Sequence, residues 1–187
     1  MSERHAFWAE MSACEHFVQV YEADDVFMDT LTGFVAGALR QDEGAVVIAT
    51  PNHLHELKGR LDADGLDADA AIEDDDLLLL DAEQTLAQFM VDGWPEQDKF
   101  RTMVRGILAR AGRGGRRVRA FGEMVAVMWA KGHCAATVRL EHLWQQMCEQ
   151  ESFVLFCAYP KSGFTENPVD SIARVCAQHS KVFPAGI

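Results

Sequence analysis

Residues 45–61, AVVIATPNHLHELKGRL, decide the fold class. Ala45–Ala49 is apolar at five consecutive positions, so both faces of the strand it predicts are buried, as in a parallel sheet covered by helices. Thr50-Pro51 then opens a helix through Leu61, with Thr50 as N-cap and Pro51 at the first helical position. The same unit recurs. His16–Tyr21 is rich in β-branched and aromatic residues and reads as a first strand. A polar turn, Glu22–Asp25, leads into a helix over Val26–Leu39, where Phe27, Leu31, Phe34, Val35 and Leu39 fall three or four apart and Asp25 is the expected N-cap. Leu77–Leu80 is a third strand, ended by Asp81 as N-cap of a helix over Ala82–Phe89. Asp92–Pro95 breaks the chain, and Lys99–Ala111 is helical. Arg117–Phe121 is a fourth strand, followed by helices over Met124–Lys131 and Ala135–Gln150. Phe153–Ala158 is a fifth strand, ended by Tyr159-Pro160, with a late helix over Val169–Ser180. This alternation predicts a three-layer α/β fold, a mainly parallel sheet of at least five strands flanked by helices. The whole chain, 1–187, reads as a single domain with a core from about 16 to 185. Asp62–Asp76, with eight acidic residues, is read as a solvated loop.

Composition narrows the function. The 187 residues are 49% apolar, enough for a full core, and carry a net charge of −12. Proteins that grip nucleic acid usually present a basic face. The one basic cluster here, Arg110, Arg113, Arg116, Arg117 and Arg119, is local, and direct nucleic-acid binding is not expected. Five cysteines, an odd number without C-x-x-C spacing, give no support for a disulfide framework or a zinc knuckle. No apolar run reaches the ~18 residues that span a bilayer, and no signal-peptide pattern opens the chain, so the expected location is cytoplasmic.

In open α/β sheets ligands bind outside the carboxyl ends of the strands. That rule selects Glu22–Asp25, Thr50–His53, Asp81, Gly122-Glu123 and Tyr159-Pro160. The first is where a phosphate loop would lie, yet it reads EADDVF, with no glycine or lysine and three carboxylates that repel a triphosphate. Gly112–Gly115 follows a helix and opens a strand, the reverse of a phosphate cradle, and is read as a helix C-cap and turn. His53 and His55 are two apart and face different ways on a helix. A lone His53 lining a pocket is the better reading, and no metal set is recoverable from spacing. Glu123 is either a pocket carboxylate or a helix N-cap, with Arg119 as a distant candidate partner. Met128 and Trp129 either line an apolar pocket or pack the core. Cys157, inside a buried strand, is read as inert. The expected ligand-binding set is Tyr21, Thr50, His53, Glu123, Trp129 and Tyr159, converging in one crevice. No catalytic residue, cofactor or metal is expected.

Six runs carry a family resemblance: VVIATPNHLHEL (46–57), LLLLDAEQTLAQFMVDGWP (77–95), VRAFGEMVAVMWAKG (118–132), RLEHLW (139–144), FCAYP (156–160) and CAQHSKVFPA (176–185). In this order they resemble the MEDS domain, the sensory domain of methanogens, methylotrophs and a dichloromethane-responsive repressor of the DcmR type. Lys181 stands where another histidine is expected. The resemblance implies a RecA/KaiC-like fold without a phosphate loop. It also implies a non-enzymatic sensory role in signal transduction or transcription regulation, with small hydrocarbon derivatives as ligands. Members occur alone or fused to DNA-binding or kinase modules, and this length suits a stand-alone member. The expected partners are a small molecule and a signalling protein, a kinase or regulator, with homo-oligomerisation left open. Two alternatives remain: a divergent nucleotide-binding or transferase enzyme using the same crevice, and a ligand-free regulator in a kinase or anti-sigma pathway.

Overall fold

The computed structural model describes residues 12, 14–165 and 167–183. In chain order the elements are β1 (His16–Tyr21), α1 (Asp24–Arg40), β2 (Gly44–Ala49), α2 (Pro51–Ala63), α3 (Ala68–Glu73), β3 (Leu77–Asp81) and α4 (Ala82–Ala87). There follow β4 (Met90–Val91), β5 (Trp94–Pro95), α5 (Gln97–Ala111), β6 (Val118–Gly122), α6 (Met124–Ala130), α7 (Cys134–Glu151), β7 (Val154–Pro160), α8 (Pro168–Cys176) and β8 (Lys181–Phe183). Six strands form one sheet in the order β3-β2-β6-β7-β1-β8, and every pairing in it is parallel. β4 and β5 form a small antiparallel hairpin apart from it.

Parallel strands need crossovers, and the helices supply them on both faces. Register makes the layering explicit. Phe17, Phe156, Phe121, Val47 and Leu79 stand side by side across five strands. They point to the α1–α3 side, where Phe27, Leu31, Phe34, Leu57 and Leu61 cover them. The alternate residues, among them Val18, Val46, Ile48, Ala120, Leu155 and Cys157, face α4–α8, where Phe100, Met124, Leu140 and Trp144 cover them. Gly44 starts β2 because that strand meets the end of α5: a Cβ there would stand 2.2 Å from the Ala111 carbonyl oxygen.

The structure corrects several local expectations. The acidic stretch 62–76 contains α3, and Asp67 caps it by accepting from the Ala70 N–H at 2.9 Å. Asp75 and Asp76 take Arg110, Arg113 and Arg116, while Glu43 takes Arg117 and Arg119. The basic cluster is thus paired within the chain, with Arg119 buried and Arg110, Arg113 and Arg117 at the surface. Arg119 is not a partner of Glu123. It is 2% exposed and donates to Glu43 at 2.5 Å near the other end of the sheet. The N-cap of α1 is Ala23, so Asp24 and Asp25 lie in its first turn, where the helix dipole favours them. The break at Asp92-Gly93 is the tight turn of the β4–β5 hairpin, both residues having positive φ. The late helix stops at Cys176, short of Ser180. Ser180 leaves the helix to bind β1, its Oγ accepting from the His16 N–H at 2.9 Å and its own N–H donating to the His16 carbonyl at 2.9 Å. The chain then continues as β8, a strand absent from the sequence reading.

Candidate functional site

Glu123 follows β6 directly. Its N–H donates to the Ile48 carbonyl at 2.8 Å, which continues the β2–β6 ladder by one rung. That rung brings its carboxylate over the end of β2. Thr50 N–H donates to Glu123 Oε2 at 2.9 Å, and His53 Nδ1 lies 2.9 and 3.0 Å from the two carboxylate oxygens. Thr50 does hold the N-cap position of α2, but its side chain makes no cap bond. Glu123 likewise holds the N-cap position of α6 without capping it, because its oxygens are engaged across the strand ends. The pair is nearly sealed, with 15% of the His53 side chain and 8% of Glu123 exposed. The hydrogen bond to Glu123 lifts the His53 pKa above its ordinary value, against the opposing effect of burial. A charge-assisted pair that keeps a sliver of exposure can exchange a partner or a proton with whatever docks on it.

Tyr21 belongs to the same face. It stacks on Phe27 at 4.7 Å, and Phe27 meets the His53 ring edge-on at 5.1 Å. Burial, then the nearby charges of Glu123 and Asp24, push the Tyr21 hydroxyl well up. Tyr21, Thr50, His53 and Glu123 therefore form one group at the carboxyl ends of β1, β2 and β6.

Tyr159 and Trp129 are placed elsewhere. Tyr159 is in register with Val20, one residue short of Tyr21, so the two tyrosines point to opposite faces. Trp129 packs against Tyr159 at 6.3 Å and Phe164 at 5.2 Å on the α4–α8 side. Met128 is 2% exposed within that core. The expected crevice is thus two half-sites separated by the sheet. A cavity of about 210 Å³, lined by residues including Arg105, Val118, Glu151 and Phe153, opens at the amino ends of β6 and β7, away from both.

The second face holds a cluster that sequence spacing did not find. Glu141, from α7, is 2% exposed. Its Oε1 accepts from the Tyr159 hydroxyl at 2.5 Å. Its Oε2 lies 3.5 Å from His16 Nε2 and 3.4 Å from His179 Nε2. Cys157 Sγ stands 3.4 Å from His16 Nε2 and 4.0 Å from Glu141 Oε2. Burial and the neighbouring His179 push the His16 pKa down to about 4. Burial pulls His179 down too, but the Glu141 carboxylate outweighs it and holds that imidazole above its ordinary value. Burial would raise Glu141, yet the two imidazoles and the Tyr159 hydroxyl keep it low. Burial, then Glu141, push the Cys157 thiol well up. The signals available in sequence were Glu141 inside an apolar helix stripe, Leu140-Glu141-His142-Leu143-Trp144, and a histidine opening a buried strand.

No curated protein matches the chain. The family model described as the methanogen/methylotroph, DcmR sensory domain (MEDS) matches residues 15–179. That span runs from the start of β1 to the turn before β8, so it takes in both glutamate–histidine groups. The chain belongs to the MEDS family of sensory domains.

Proposed function

We propose that this chain senses a small, mostly apolar ligand of the hydrocarbon-derivative class at the carboxyl ends of its strands and relays the bound state to a signalling protein. The observation that carries the reading is the Glu123–His53 pair. It sits over the ends of β2 and β6, where α/β sheets take their ligands, and is buried enough to be strengthened yet not sealed. Tyr21 and Thr50 complete the polar half. Phe27, stacked on Tyr21 and edge-on to His53, backs this group with apolar surface, while Trp129 and Tyr159 lie on the other face of the sheet. A ligand held there touches α1, α2 and α6 together, and a shift in these helices is the natural output to a partner.

The relation to RecA- and KaiC-like ATPases is part of this reading. In its support, β1 lies inside the sheet between β7 and β8 and runs directly into α1, the strand–turn–helix setting of a phosphate loop. That setting holds Glu22, Asp24 and Asp25 in place of a glycine-rich turn and lysine, with Glu22 paired to Lys161 and Asp25 to Arg60, which favours sensing over nucleotide hydrolysis. The basic cluster is paired with Asp75, Asp76 and Glu43, which favours a protein contact over nucleic acid as the regulatory output.

Thermal-shift assays with dichloromethane, methanol and short amines test the reading. A hit should stabilise the native chain and lose that effect in Glu123→Gln and His53→Ala. Stabilisation that survives both substitutions unchanged contradicts it. A micromolar isotherm with magnesium-ATP contradicts it as well.

A further inference from the structure

The cluster under α7 has more hydrogen-bond acceptors than donors. The Gln145 amide nitrogen donates to Glu149 at 2.8 Å, which turns the amide oxygen toward His16. That oxygen can only accept, so His16 Nδ1 carries the proton of their 3.0 Å bond and Nε2 presents a lone pair. The Val175 carbonyl can only accept, so His179 Nδ1 donates to it at 2.7 Å, and in the neutral ring its Nε2 presents a lone pair as well. Both lone pairs and Glu141 Oε2 converge on one buried point. Tyr159 spends its proton on Oε1. Among the described residues this leaves the Cys157 thiol, a weak donor, to serve three acceptors. His179 Nε2 makes no well-formed hydrogen bond, its nearest partner being Glu141 Oε2 at 3.4 Å. Buried acceptors without partners are costly, and a cation is what such a site lacks.

The spacing fits a metal ion. The four ligand atoms lie within 4.8 Å of one another, and four of their six separations are 3.4, 3.5, 3.4 and 4.0 Å. Tetrahedral zinc with bonds of about 2.0–2.3 Å places neighbouring ligand atoms roughly 3.3–3.6 Å apart. Each imidazole is also held from behind by a carbonyl or amide oxygen on Nδ1, and the carboxylate by a hydroxyl, which is how outer-shell groups orient metal ligands.

We propose that His16, Glu141, Cys157 and His179 bind one tetrahedral divalent transition-metal ion, zinc being the best match to two nitrogens, one sulfur and one oxygen. Four protein ligands close the coordination sphere, so the ion is structural. It joins β1, α7, β7 and the turn before β8, and so pins the last strand to the body of the fold. On binding, the metal–sulfur bond forms as the thiol proton leaves to solvent, and no electron is transferred. The assignment is independent of the strand-end ligand.

The test uses the full chain, stripped with chelator and reloaded with zinc or cobalt(II). About one equivalent should survive desalting. The cobalt form should show the intense visible bands of tetrahedral coordination and a thiolate-to-cobalt charge-transfer band. Cys157→Ser should lose the charge-transfer band, and Gln145→Ala, which touches no metal, should weaken affinity about 10–100-fold. If the natively folded wild-type chain keeps neither metal, or gives only weak octahedral bands, the proposal is overturned and a proton alone holds the cluster. It is overturned equally if Cys157→Ser keeps the charge-transfer band, since the metal would then sit on another cysteine.

Discussion

The fold buries two glutamate–histidine pairs, one on each side of the sheet, and their surroundings make them different devices. Glu123 ends a strand and receives donors for both oxygens, the Thr50 N–H and His53, while part of the pair still meets solvent. Glu141 lies inside a helix–sheet interface, 2% exposed, and faces the Nε2 atoms of two imidazoles. The first is satisfied and reachable, which suits an interaction that must change with a ligand. The second is closed and short of positive charge, which suits a permanent occupant. On the two proposals made above, the same two residue types give a sensor edge or a structural clamp, according to which groups complete their valences.

The comparison can be broken by measurement. The largest effect is expected at Glu141. Glu141→Ala takes away the partner of the buried Tyr159 hydroxyl and the carboxylate of the proposed four-ligand site, and should cost about 3–5 kcal/mol in urea unfolding, the scale for breaking a buried polar cluster. Glu123→Gln should cost less, about 1–3 kcal/mol, because an amide oxygen can still accept from Thr50. Equal losses at the two sites would contradict the contrast.

A smaller effect follows from pH. Because its folded-state pKa is raised, His53 contributes stability that is fully present below the ordinary imidazole value and is lost as pH rises through the folded value. NMR titration should find the His53 midpoint above its ordinary value of 6.5 and show it falling back in Glu123→Gln. An unchanged midpoint in the variant would place the cause elsewhere. The smallest effect is expected at the exposed Lys161–Glu22 pair, which bridges the ends of β7 and β1. Lys161→Ala should leave the urea midpoint where it is, since water screens such a pair. A clear shift there would mean that the edge is more rigid than its exposure implies.

The layered α/β plan was legible because β2 is apolar on both faces and runs straight into a proline-led helix, and β3 into one capped by Asp81. β8 was not, since three residues, Lys181–Phe183, carry no pattern and pair only along β1. α3 was hidden because its acidic residues act as caps and arginine partners, which in sequence look like solvated charge. Of the expected site, Thr50, His53 and Glu123 could be placed together from strand ends alone. Assigning Tyr21 and Tyr159 to one crevice required the β1–β7 register, which shifts them by one residue and hence to opposite faces. The cluster of His16, Glu141, Cys157 and His179 escaped notice for a related reason. Its members come from four elements that parallel crossovers bring together, and no local spacing encodes it.

The central claim is that the sensory site of this MEDS domain is the strand edge at Glu123 and His53. Amide chemical-shift mapping during titration with the thermal-shift hit tests it most directly. The account predicts that the largest perturbations fall on Thr50, His53, Glu123 and their neighbours in α2 and α6. Perturbations confined to the cavity at the opposite end of the sheet, around Arg105, Val118 and Phe153, would contradict it.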